Sequence, residues 1–192
     1  FKDKRLLWMY IGIGLQVLKN DSKAISSYAY GRKLAKDDPE MESQFNTQLG
    51  DAYNNIKAYE KSDSAFTKAL EFNPNSAHVL NNYSYFLSLR NEKLDEAKSM
   101  SGKVVRMHPK EATYLDTYAW VLYKIKEYKE AKKYLERALE TTSDGTVIEH
   151  YGDVLFQLGD IKGALKNWSR AKEQGGTSDL LDKKIRDKKL YE

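Results

Sequence analysis

The chain contains no cysteine. That excludes disulfides, thiol nucleophiles and cysteine-based metal sites. Three prolines and eleven glycines in 192 residues leave little room for long irregular loops. No block of like charge reaches five residues, so no segment reads as a nucleic-acid-binding tail. The uncharged run Leu6–Leu18 is thirteen residues long, short of the roughly 20 that a membrane span needs. It holds Gly12 and Gly14, but Val17 stands where a dinucleotide-binding loop requires a third glycine. H-E-x-x-H, G-x-S-x-G and phosphate-loop motifs are absent, and His78, His108 and His150 are far apart in the chain. No catalytic residue, cofactor or metal ligand is therefore expected.

Hydrophobic residues make up 41% of the chain and charged residues 31%, the balance of an ordered protein with a wet surface. Tyrosine is abundant, at fourteen residues. The net charge of +4 lies wholly in the second half, because residues 1–96 carry thirteen basic and thirteen acidic side chains. Asn-x-Ser occurs at Asn20, Asn82 and Asn167, and matters only in a glycosylating compartment. The chain begins with Phe1, which suggests a processed form or a fragment.

A period of about 34 residues runs through the sequence. A small residue recurs at Gly12, Gly50, Ser84, Ala119 and Gly152, with an apolar residue three later at Leu15, Tyr53, Leu87, Leu122 and Leu155. Further small residues follow at Ala24, Ser62, Ala97, Ala131 and Ala164, then Gly31, Ala69, Val104, Ala138 and Ala171. Between the last two sets stand Tyr28, Phe66, Ser101, Leu135 and Trp168. Apolar spacings of three and four mark two helices per period, and the short polar stretch between them folds the pair antiparallel. Small residues allow the helices to cross closely. One hairpin cannot bury both faces, so it must stack on the next.

This frame resembles the tetratricopeptide repeat. Trp8, Ile11, Gly12 and Leu15 fit its first helix, and Leu49, Gly50, Tyr53, Phe66, Ala69 and Pro74 make the second unit the fullest match. The third unit departs, with Ser101 where an aromatic is usual and a longer turn. The resemblance implies an all-α, right-handed superhelical solenoid. Its array would occupy residues 1–176, in units near 5–42, 43–76, 77–111, 112–144 and 145–176. Residues 177–192 would form a capping helix, with Thr177 or Ser178 as N-cap, Leu180, Leu181 and Ile185 inward, and Lys, Arg and Asp facing water.

The resemblance further implies a concave groove lined by the first helix of each unit, where partners bind as extended peptides or helices. Its positions are Leu6, Met9, Ile13 and Gln16; Gln44, Thr47, Asp51 and Asn54; His78, Asn81 and Tyr85; Thr113, Asp116, Trp120 and Tyr123; and Thr146, Glu149, Asp153 and Phe156. Tyr85, Trp120 and Tyr123 are aromatics where packing does not demand them, as recognition surfaces use. Asp51, Asp116, Glu149 and Asp153 make the groove acidic. The expected partner is a protein or peptide with apolar and basic residues, not nucleic acid and not a membrane interior. A clamp for a C-terminal carboxylate is excluded, because Met9, Thr47, Thr113 and Asp116 stand where its cations would be.

Leu6, Met9 and Ile13 also lie on a helix that is apolar nearly all round, a second contact face through which two copies would pair. The expected role is a non-catalytic interaction scaffold. The alternative is a docking or regulatory module of a larger enzyme or envelope assembly. The flavour of "YLDTYAWVLYKIKEYKEA" and "IEHYGDVLFQLGDIKGAL" resembles the C-terminal array of a larger bacterial protein, and the expectation drawn from it is an exported lipoprotein of the cell envelope.

Overall fold

A computed structural model describes residues 3–191. It is all-helical: eleven α-helices and no strand among the described residues. They are α1 (Lys4–Val17), α2 (Asp21–Leu34), α3 (Pro39–Asn55), α4 (Tyr59–Phe72), α5 (Ala77–Arg90), α6 (Leu94–Met107), α7 (Ala112–Lys124), α8 (Tyr128–Ala138), α9 (Gly145–Gln157), α10 (Ile161–Gln174) and α11 (Leu181–Asp187). Helix α3 starts at Pro39, ahead of the residue 43 at which the second repeat unit is expected to begin. Among the described residues no helix is long and apolar enough to cross a membrane.

The starts are written in the sequence. Asp3, Asn20, Asp38, Asp144 and Asp160 are N-caps whose side chains accept from backbone N–H groups of the first turn, and Pro39 begins α3. The turns inside five hairpins share one device. In the first, Lys19 N–H donates to the Gln16 carbonyl and Asn20 N–H to the Leu15 carbonyl, 2.8 Å each. The same paired bonds recur after Asn54, Ser88, Tyr123 and Phe156. This is the Schellman arrangement, which needs a left-handed residue. Lys19, Lys57, Asn91, Lys126 and Gly159 supply it, with φ of 56°, 60°, 54°, 66° and 85°.

The chain forms two compact units, residues 1–86 and 87–192. In the first, α1 packs on α2, α2 on α3 and α3 on α4. Its core holds Met9, Ala24, Tyr28, Met41, Phe45, Leu49 and Ala65. In the second, α6 to α11 pack in chain order, with Ile148, Leu155, Ala164, Trp168, Ala171 and Leu181 forming one core cluster.

The recurrent small residues do the work expected of them. A Cβ on Gly12 would lie 2.2 Å from the Tyr28 ring, one on Gly50 2.8 Å from Phe66, and one on Gly152 2.5 Å from Trp168. Each glycine lets a ring of the partner helix lie against bare backbone. The rings themselves are fully buried.

Candidate functional site

In the first unit a cavity of about 470 Å³ opens between α1, α3 and the start of α5. Leu6, Tyr10 and Ile13, at helical spacings of four and three, form its apolar wall. All three are exposed, Tyr10 to 57%. The facing wall carries Gln44, Thr47 and Gln48 from α3, with His78 and Val79 at the far side. Thr47 Oγ1 donates to the Ser43 carbonyl at 2.8 Å and Ser43 Oγ to the Ala69 carbonyl at 2.9 Å, so these hydroxyls are engaged by backbone. Gln44 and Gln48 are the amides of this wall, Gln48 Oε1 accepting from the Tyr28 hydroxyl at 3.3 Å, and Glu40 is the one acid among the residues that line it.

Beside the cavity, Asn82 Nδ2 donates to Asp51 Oδ1 at 3.4 Å and lies 3.4 Å from His78 Nε2. Burial pushes the Asp51 carboxyl up to about 6, against the bond from Asn82. Desolvation likewise holds the His78 imidazole below its ordinary value. The buried Asn81 Oδ1 has no hydrogen-bond partner among the described residues.

The second unit treats its groove positions differently. His150 Nδ1 lies 2.9 Å from Asp116 Oδ1, and Trp120 stacks on the His150 ring at 4.2 Å and on Tyr123 at 4.8 Å. Burial pulls His150 down, but Asp116, Asp153 and Glu149 outweigh it and keep the imidazole above its ordinary value. Further along, Lys184 of α11 enters between Glu149 and Asp153. Its Nζ donates to Glu149 Oε1 at 2.8 Å and to Asp153 Oδ1 and Oδ2 at 2.8 and 2.7 Å. Trp168 Nε1 donates to Asp153 Oδ1 at 2.8 Å, and the N–H and hydroxyl of Ser178 bind the Glu149 carboxylate at 2.8 and 2.5 Å. Burial raises both carboxyls. At Glu149 the bonds from Lys184 and Ser178 prevail and lower it, while at Asp153 burial prevails.

Models of the tetratricopeptide repeat match residues 43–76, 65–99 and 112–144. A TPR repeat-containing protein of Pseudomonas aeruginosa is 30% identical over 107 residues, 56% of this chain. The match spans only 18% of that relative's length. Among solved structures, PilF of Pseudomonas aeruginosa superposes with a TM-score of 0.77 at 20% identity, over 96% of this chain and 86% of that one. PilW, a type IV pilus biogenesis factor, gives 0.81 at 18% identity over 96% and 85%. A TPR protein of Thermus thermophilus gives 0.76 at 16% identity over 96% and 98%. These structures share the fold. The chain is a tetratricopeptide-repeat protein.

Against the TPR frame, several groove residues are not where sequence alone put them. Leu6, Met9 and Ile13 all line the first-unit cavity, but Met9, expected on an open contact face, is only 7% exposed and also belongs to the core. Asp51, Asn54 and Tyr85 are half-buried, His78 is exposed and Asn81 is buried. Trp120 and Tyr123, expected as free recognition aromatics, are buried in the stack with His150. Phe156 is half-buried and stacks on Trp168 at 5.6 Å. The expected acidity of the groove is largely internal: Asp116 faces His150, and Glu149 and Asp153 face Lys184. The TPR cap helix also differs from expectation. Leu180, not Thr177 or Ser178, is its N-cap, and Lys184 is buried instead of facing water.

The sequence-predicted groove missed Tyr10, Gln48, His150 and Lys184. Tyr10 adjoins Met9 and shares its apolar helix, so nothing in the spacing separated them. Lys184 did leave a signal: it lies 35 residues from Glu149 and 31 from Asp153, close to one TPR period. The same period recurs in the bonds Asn55–Asp21, His150–Asp116 and Gln157–Tyr123, each spanning 34 residues.

Proposed function

We propose that this repeat protein, whose fold supports a general role as a protein–protein interaction scaffold, works through the first-unit groove, which takes an extended or helical segment of a partner protein anchored by an apolar side chain. One observation carries this reading: exposed Leu6, Tyr10 and Ile13 face an amide wall across a cavity of about 470 Å³. That is the size range of ligand pockets, and clustered exposed apolar side chains mark contact sites. Gln44 offers both a donor and an acceptor to a partner's main chain, and Gln48 its amide N–H groups, its oxygen being held by Tyr28. A preference for basic residues then rests on Glu40 and Asp51, since the other groove acids already hold cationic or ionisable partners of their own chain.

The test is selection of peptides from a displayed library on the intact chain. Selected peptides should share an apolar anchor, and the double change Leu6→Glu with Ile13→Glu should weaken their binding at least tenfold. Val17→Glu is the control, because Val17 lies on the same helix, is 77% exposed and does not line the cavity. Equal loss in both variants would remove the groove as the binding surface.

A further inference from the structure

Helix α11 is the shortest helix among the described residues. It has seven residues, too few to be stable alone in water, and no side-chain cap. Only Leu181 and Lys184, three apart, are buried in it; Asp182, Lys183, Arg186 and Asp187 are exposed. The segment joining it to α10 has no regular structure at residues 175–178, and Gly175 and Gly176 have φ of 76° and 73°. The Gly175 carbonyl lies where a side chain on Gly145 would stand, and Thr146 Oγ1 donates to the Gly176 carbonyl at 2.6 Å. The start of α9 thus grips the joining segment through backbone atoms.

The dock beneath α11 is built independently of it. Glu149 and Asp153 sit one turn apart on α9, which is paired with α10 through Gly152 and Trp168. The Trp168 indole fixes Asp153, and its ring lies 5.9 Å from the Lys184 ammonium. Without a cation this dock would hold two buried carboxylates of like charge, an arrangement that strongly favours refilling. Three charge-assisted bonds to one ammonium, with Leu181 and the half-buried Ile185 packed beside it, define what fits.

We infer that Glu149, Asp153 and Trp168 form a recognition pocket for a short helix presenting Leu-x-x-Lys, that α11 is its tethered occupant, and that such a helix from a partner protein can take its place. The inference does not rest on the first-unit groove. Tethering gives α11 an effective concentration in the millimolar range, so a free helix gains access only when α11 is weakened or outcompeted.

The test uses the full chain carrying Lys184→Ala and a fluorescein-labelled peptide of residues 177–191. The peptide should bind this variant saturably, at least tenfold tighter than it binds the wild-type chain. A peptide with Lys184→Met should bind at least tenfold more weakly than the unchanged one. Because the chain has no cysteine, Lys172→Cys and Asp182→Cys, at a surface ion pair of 2.8 Å between α10 and α11, can be joined by a bis-maleimide. That cross-link, placed in the Lys184→Ala chain, should block the peptide. Should Lys184→Ala lose its helical signal, Lys184→Met keeps the aliphatic stem and replaces it. No binding to a folded variant, or equal binding of both peptides, overturns the inference. So does loss of cooperative folding in both variants, which would make α11 part of the core.

Discussion

The groove of the first unit and the α9–α11 end use groove positions of the repeat in opposite ways. In the first unit these positions carry Leu6, Ile13, Gln44 and Thr47, and the space between them is open. In the last repeat they carry Glu149 and Asp153, and the chain's own Lys184 fills the space. The difference follows from solvation. Neutral amides and aliphatic side chains can face water without a partner at modest cost, whereas two carboxylates on a buried helix face need a cation. Acidic residues in a repeat groove therefore do not by themselves mark a site for basic peptides. The first question is whether the chain already supplies the base.

Replacing a ring at each place separates the two uses most strongly. Trp168→Ala should cost about 3–5 kcal/mol, since it empties the space over Gly152 and strips Asp153 of a donor. Tyr10→Ala should leave stability within about 0.5 kcal/mol while weakening any groove ligand. Urea titration of both variants measures the contrast, and equal costs would erase it.

Acidity should divide the two units next. Asp51 has its folded value raised to about 6 by burial, so the folded state binds the extra proton and stability falls as pH rises from about 4 to 6. Asp51→Asn should abolish that fall and gain about 1–2 kcal/mol at pH 7. His150 also has a raised value, but as a base. Its pairing with Asp116 contributes fully below about 6.5 and is lost as pH rises through the folded value. Asp116→Asn should flatten the upper window and leave the lower one unchanged. Urea midpoints at pH 4, 6 and 8 distinguish the two; a single window removed by both variants would contradict this division.

The smallest effect concerns the turns. Gly159 takes the left-handed position of the last hairpin without strain, while Lys57 takes it in the first unit with a side chain. Lys57→Gly should raise stability by about 0.5–1 kcal/mol, and Lys57→Ala should not, as a thermal melt would show.

Much of the fold was legible because its signals are local or periodic. Spacings of three and four gave the helices, and Gly12, Gly50 and Gly152 announced close crossings. The candidate site was less legible, because burial of a charged or aromatic side chain depends on what another element brings. Lys184 sits in "LDKKIRDKK", where any lysine reads as solvated; only the carboxylates one repeat earlier mark it out. Trp120 and Tyr123 read as recognition aromatics, but His150, 34 residues past Asp116, closes over Trp120. Met9 lies on a helix apolar nearly all round, so periodicity could not say which side faces the core.

The glycine–ring crossings have a bearing on how such a chain can change over generations. Gly12 is followed sixteen positions later by Tyr28, Gly50 by Phe66 and Gly152 by Trp168, whereas Ala119 is followed at that distance by Leu135. A larger residue on one helix goes with a smaller one on its mate. The two helices of a hairpin are thus inherited as a couple: exchange of whole hairpins between related genes preserves each match, while a breakpoint inside a hairpin can set a side chain against a ring. Drift at one position of the couple awaits a compensating change at the other.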